Sequence, residues 1–191
     1  MSVAEKRKVT PVDYLAVERK AETKSEYLDG EVFAMAGGTH RHSLIGTNLA
    51  GELRSALKVG TCQVQNSDVR VLVRATGLYA YPDISVGCGK LEFEDEHQDT
   101  LLNPQLLVEV WSETTAATDR GQKFWHYREL ESLRDYVLVS QYATLVEHFA
   151  RQPDGSWLLR DYDQPGQTLK IDSLGVQVPL TEIYAGVEME R

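Results

Sequence analysis

Cysteine is scarce in this chain: Cys62 and Cys88 are the only two in 191 residues, and they form no CxxC unit. That spacing excludes the common structural zinc motifs, and two scattered thiols in a chain without an export signal are expected to be reduced and packed. Long hydrophobic runs are missing too. No stretch approaches the roughly eighteen consecutive apolar residues of a membrane span, so no membrane partner is expected. The N-terminus, MSVAEKRKVTPVDYL, has no apolar core behind its charges, which argues against a signal peptide and for a cytoplasmic protein. Positive charge is in deficit, with 20 Lys and Arg against 29 Asp and Glu and a formal net charge of −9. Non-specific nucleic-acid affinity comes mainly from Lys and Arg displacing counterions, which argues against a general polyanion binder. Any nucleic-acid contact must use a local basic patch or a metal. There is no Walker-type glycine-rich cradle, no internal repeat and no Pro/Gly/Ser-rich linker. One domain spanning residues 1–191 is the economical expectation.

What is present is ordinary globular composition, 42% hydrophobic and 26% charged. Thr10-Pro11 reads as an N-cap followed by Pro at the first helical position. Asp29-Gly30 lies between two apolar runs, Glu26 to Leu28 and Glu31 to Met35, and marks a hairpin. From His42 to Leu57, four-residue spacing of Ile45, Leu49, Leu53 and Leu57 predicts an amphipathic helix closed by Gly60. Strand-like runs follow at Cys62 to Gln65, Ser67 to Val73, Tyr81 to Val86 and Leu106 to Trp111, with an acidic loop at Glu92 to Glu96. A helix is expected from about Thr118 to Leu130, then a strand at Tyr136 to Val139. Leu145 to Phe149, Trp157 to Tyr162 and Leu169 to Ile171 read as an antiparallel meander turning at Pro153-Asp154-Gly155. Elements in this order predict an α/β or α+β fold, a mixed sheet flanked by helices with a C-terminal antiparallel meander.

The sharpest chemical signal is Glu109. Alternation in Leu106-Leu107-Val108-Glu109-Val110-Trp111 gives it apolar neighbours whichever face is inward. An unpaired buried carboxylate costs several kcal/mol or protonates, so a metal or a Lys should stand beside it. The pattern alone leaves open an edge-strand Glu facing water. Asp83 follows Pro82 and opens Ile84-Ser85-Val86; by itself Pro-Asp is as readily a turn. Two carboxylates on neighbouring strands, about 4.8 Å apart, can nevertheless converge on one hard divalent cation such as magnesium. Lys123 projects onto the stripe formed by Phe124, Tyr127 and Leu130, while Trp125 points away. Its stem could lie on apolar surface with the ammonium in water, or the ammonium could sit beside the metal, orienting water and offsetting phosphate charge. Asp68 and Arg70 alternate with Val69 and Val71 and are expected on a polar strand face, with Arg70 a candidate phosphate contact. His97, His126 and His148 show no grouping.

Six short motifs, in order, carry a resemblance. They are Tyr27-Leu28-Asp29-Gly30-Glu31, Gly37-Gly38-Thr39-x-x-His42, Ser67-Asp68-Val69-Arg70-Val71, Tyr81-Pro82-Asp83-Ile84, Asn103-Pro104-x-Leu106-Leu107-Val108-Glu109-Val110 and Asp119-Arg120-Gly121-x-Lys123-Phe124-x-x-Tyr127. Together they closely resemble the Uma-two family of restriction-endonuclease-like proteins. The resemblance implies a PD-(D/E)xK nuclease fold in which Asp83 and Glu109 are the two motif acids. Trp111, not Lys, stands two residues after Glu109, and the resemblance implies that Lys123 takes the lysine's role from the following helix. His42 and Glu31 match family positions and are candidates for additional active-site residues. The implied activity is metal-dependent hydrolysis of nucleic-acid phosphodiester bonds, with DNA the expected substrate. Asp83 and Glu109 would hold magnesium or manganese, and Asp83, Glu109 and Lys123 would form the catalytic set. The rival expectation is a nuclease fold kept without catalysis, for self-association as a homo-oligomer or for binding a partner, and the acidic net charge favours it.

Overall fold

A computed structural model describes residues 8–112 and 118–188. Helix α1 (Pro11–Glu18) starts as its sequence dictates: the Thr10 hydroxyl accepts from the Asp13 backbone N–H at 3.1 Å and Pro11 fills the first turn. Strands β1 (Ser25–Leu28) and β2 (Glu31–Ala34) then form a hairpin. Asp29 and Gly30, at φ 47° and 88°, supply the two left-handed residues that its tight turn requires. Helix α2 (His40–Leu57) is capped by Thr39, and its buried residues are the expected Ile45, Leu49, Leu53 and Leu57.

The remaining strands are β3 (Cys62–Asn66), β4 (Arg70–Val73), β5 (Leu78–Ala80), β6 (Ile84–Cys88), β7 (Thr100–Leu101), β8 (Leu106–Trp111), β9 (Asp135–Ser140), β10 (Val146–Arg151), β11 (Trp157–Tyr162), β12 (Thr168–Ile171) and β13 (Val176–Pro179). One sheet runs β2-β1-β5-β4-β7, and a second runs β11-β10-β9-β8-β6-β3. The second is mixed, since β8 and β9 are parallel while its other pairs are antiparallel. Between β8 and β9 the chain forms a π-helical segment, Thr118–Lys123, that passes directly into α3 (Phe124–Tyr127). A short α4 (Leu180–Ile183) follows β13.

Strand alternation sorts side chains into three cores. Val71, Val73, Leu78 and Ala80 of the five-stranded sheet meet Leu107, Tyr136 and Leu138 of the six-stranded sheet, with Tyr127, Leu130 and Leu133 closing the space. The opposite face of the six-stranded sheet, Val108, Val110, Val137 and Val139, packs on α2, β12, β13 and α4. Outside the five-stranded sheet, Tyr27, Leu72 and Tyr79 pack against Tyr14 and Leu15 of α1. The result is the expected mixed α/β architecture, with sheets flanked by helices.

Several details differ from the sequence reading, among them the helix expected from about Thr118 to Leu130, which is a π-helical segment, Thr118–Lys123, followed by the four-residue α3. β10 and β11 do form an antiparallel extension of the main sheet, but β12 leaves it and pairs with β13 in a separate ribbon. Cys62 and Cys88 are joined in a disulfide rather than packed as thiols, because antiparallel pairing of β3 with β6 sets the two residues directly opposite each other. Finally, β4 has no polar face: all four of its residues are buried, since α1 covers one side of its sheet and the second sheet covers the other.

Candidate active site

The chain changes sheets at Tyr81-Pro82-Asp83, after β5 and before β6, and this crossover brings the acids together. β6 and β8 pair with Ile84 opposite Val108. One step further along this antiparallel register, Asp83 stands opposite Glu109. The Asp83 carboxylate is anchored there, its Oδ2 accepting from the Val110 backbone N–H at 2.7 Å. His42, in the first turn of α2, places Nε2 3.2 Å from the same oxygen. The hydrogen bond to Asp83 raises the His42 pKa above its ordinary value, outweighing the lowering by burial.

Glu109 is 4% exposed on the face shared with Leu107. Its Oε1 accepts from the Tyr127 hydroxyl at 2.9 Å and from the Lys123 ammonium at 3.1 Å. The Lys123 Nζ also lies 3.0 Å from Glu26 Oε1, across the seam between the sheets, and 3.7 Å from Asp119 Oδ1. One ammonium thus sits among three carboxylates, all with side chains under one-fifth exposed. Burial alone would lower the Lys123 pKa, but Glu109, Glu26 and Asp119 reverse that and raise it, so the ammonium stays charged. Glu109 moves the other way from a normal ion-pair acid. Its burial, reinforced by Asp119, Asp83 and Glu26, outweighs the pull of Lys123 and holds its pKa well above the usual carboxylate range.

Asp83, Glu109, Lys123 and His42 are therefore brought to one locus, and two acids not singled out from the sequence, Glu26 and Asp119, join them. Glu26 carried the same signal as Glu109, an acid alternating with an apolar residue, Leu28, that packs between the sheets. Asp119 lies one helical turn before Lys123, on the same side of its segment. Glu31 does not join: it is exposed at the start of β2, near Lys8. Arg70 is also elsewhere, 3% exposed and engaged by Asp99 at 2.6 Å, the Tyr81 hydroxyl at 2.9 Å and Thr100 Oγ1 at 3.2 Å. As β4 lacks a polar face, the expected surface phosphate contact is corrected to a buried structural cation.

Among the described residues, no three His, Cys, Asp or Glu side chains are gathered as a ready metal cage. The donor chemistry still suits a hard divalent cation. Glu26, Asp83, Glu109 and Asp119 supply carboxylate oxygens, the ligand type that magnesium and manganese take. Lys123 supplies the one ammonium among them, and burial first, then the neighbouring carboxylates, hold the Glu109 pKa up.

The mixed sheet flanked by helices is a restriction-endonuclease-like fold. A crystal structure titled a "putative nuclease belonging to DUF820" from Anabaena variabilis superposes with a TM-score of 0.73, covering 88% of this chain and 93% of that one at 16% identity. The likeness is one of fold. The model of the Uma2 family, described as "Putative restriction endonuclease", matches residues 11–181, and the chain belongs to that family. Two Synechocystis sp. proteins are similar along most of their length. slr1290 is 36% identical over 180 residues, covering 94% of this chain and 93% of that protein. sll1609 is 35% identical over 163 residues, covering 84% and 91%.

Proposed function

We propose that the chain is a magnesium- or manganese-dependent endonuclease that hydrolyses phosphodiester bonds of DNA. The observation that carries this reading is the Lys123 ammonium within 3.1 Å of both Glu26 and Glu109, in a pocket of acids whose charge it only partly balances. Asp83 and Glu109 would hold the cation, and Glu26 and Asp119 would hold Lys123 beside it. A bound divalent cation supplies Lewis-acid polarisation of the phosphate and lowers the pKa of water. The protein's own groups do the rest. Lys123, held rigid by its carboxylates, donates to the attacking water or to a phosphate oxygen and offsets charge as it builds on phosphorus. A site carboxylate takes the proton as the water oxygen bonds to phosphorus. The phosphorus–oxygen bond to the leaving sugar breaks, and that oxygen gains a proton from solvent. The Tyr127 hydroxyl fixes Glu109 from behind, and the Val110 N–H and His42 fix Asp83, so both acids are preorganised.

DNA is assigned from the family's description as a restriction endonuclease. The test is electrophoretic cleavage of single-stranded DNA, duplex DNA and RNA with magnesium or manganese, with Asp83→Asn as control. Cleavage of DNA that needs the cation and vanishes in the variant is the expected result. The net charge of −9 favours a second reading, a non-catalytic module that binds a partner or itself. Absence of cleavage on every substrate and cation would select it.

A further inference from the structure

The carboxylate cluster is not evenly buried. Glu109 and Asp119 are enclosed, whereas the side chains of Glu26, Asp83 and His42 are 18%, 19% and 24% exposed. A phosphate would therefore reach the acids past these three residues, and whatever stands around that opening meets the rest of the substrate. Phe33 stands there. In the β1–β2 hairpin it is paired directly with Glu26. Directly opposed residues share one face of a sheet with Cβ atoms about 4.5–5.5 Å apart, so the Phe33 ring projects beside the Glu26 side chain. This is the face on which Leu28 packs between the two sheets, but β2 is the outer strand, and Phe33 stays 48% exposed. From β2 the chain runs through Gly37-Gly38 into α2, whose first turn sets His42 against Asp83.

A single exposed apolar residue is common and by itself marks nothing. Phe33 is set apart by its pairing with a site acid and by the charge around it. A strand gripped through its phosphates needs several unengaged Lys or Arg side chains. This chain has a net charge of −9, and Lys123 is held by three carboxylates. Lys24, two residues before Glu26, is tied to Asp68 at 2.6 Å and to the Ser67 carbonyl at 2.8 Å. Stacking on an aromatic ring needs no cation, because every base has a π face to cover. In a duplex those faces are already stacked on neighbouring bases, so only an unpaired base can offer one.

We propose that Phe33 is a stacking platform for a base beside the scissile phosphate, and that the substrate is an unpaired DNA strand. The inference rests on the nuclease reading, which puts the phosphate at the carboxylate cluster. Because Phe33 and Glu26 are direct cross-strand neighbours, one nucleotide can set its phosphate at the acids and its base on the ring. Stacking reads no base edge, so little sequence preference is expected from this contact.

The test reads binding rather than cleavage, so failure of the nuclease reading shows as absent cleavage and failure of this one as absent base dependence. Fluorescence anisotropy follows the full chain, with calcium as the oxygen-seeking cation, binding three labelled probes: a short oligothymidylate, the same sugar–phosphate chain lacking its bases, and a hairpin duplex. Wild type is expected to bind oligothymidylate on the order of tenfold more tightly than the abasic chain, and more tightly than the duplex. Phe33→Leu, at a half-exposed position, should keep its melting temperature and lose the preference for the strand with bases. Phe33→Trp should retain that preference. Equal wild-type affinity for the two single strands, an undiminished preference in Phe33→Leu, tighter binding of the duplex, or no binding of any probe each overturns the proposal.

Discussion

Lys123 on the helical segment and Glu109 on a central strand are fourteen positions apart, yet their side chains meet at 3.1 Å. Because the same ammonium contacts Glu26 and approaches Asp119, removing it leaves three buried acids facing one another. Lys123→Met is expected to lower cleavage by on the order of 100-fold or more, the usual cost of deleting one preorganised donor. It should also lower the melting temperature more at pH 8 than at pH 5, since protonation relieves the acids. Thermal scans at the two pH values check this, and an equal loss at both would mean that the ammonium does not act by pairing.

Asp83→Asn removes a charge while keeping an oxygen that can still accept from the Val110 N–H. The fold should persist, with a melting temperature within a few degrees of wild type, while metal-dependent cleavage disappears. The His42 pKa should fall toward its ordinary value, because the hydrogen bond that raises it is to the Asp83 carboxylate. Imidazole resonances followed by NMR against pH report that shift directly, independently of any activity.

Much of this site was legible before the fold. Glu109 announced itself as a carboxylate inside an apolar strand, and the helical projection placed Lys123 with Tyr127, which contacts the same Glu109 oxygen. Glu26 was not read because its strand is short and its partner sheet is assembled from distant segments; only the seam between sheets shows that its face is enclosed. Arg70 is buried rather than exposed for a related reason. Val-Arg-Val alternation implies a solvated face when a sheet is open on one side, and here α1 covers that side. The disulfide depended on register, which places Cys62 opposite Cys88 and which local sequence does not specify.

Glu26 should matter nearly as much as the two motif acids. Its Oε1 lies 3.0 Å from Lys123 and accepts from the Tyr81 backbone N–H at 3.3 Å, so it ties the lysine to the crossover that carries Asp83. Glu26→Gln keeps the shape and the acceptor but loses the charge. Cleavage is expected to fall by about tenfold to 100-fold, in line with losing an outer partner that orients a site. Unchanged rates with a saturating cation would remove Glu26 from the site's working set.

Glu109 links the site to pH. Its folded pKa is raised above the ordinary 4.5, so folded protein retains a proton that unfolded protein releases. The stability this contributes is fully present below about 4.5 and is lost as pH rises through the folded value. Glu109→Gln escapes that loss, so its melting temperature relative to cation-free wild type should climb steadily from pH 5 to pH 8. A divalent cation acts on the same proton: carboxylates bind metal in their ionised form, and binding must expel any proton that Glu109 holds. Calorimetric titration of magnesium or manganese in buffers of different ionisation enthalpy should therefore show proton release in wild type at pH values above the ordinary 4.5, and less in Glu109→Gln. Identical release in both proteins would place all of the expelled proton on other groups, His42 beside Asp83 among them, and detach Glu109 from the cation.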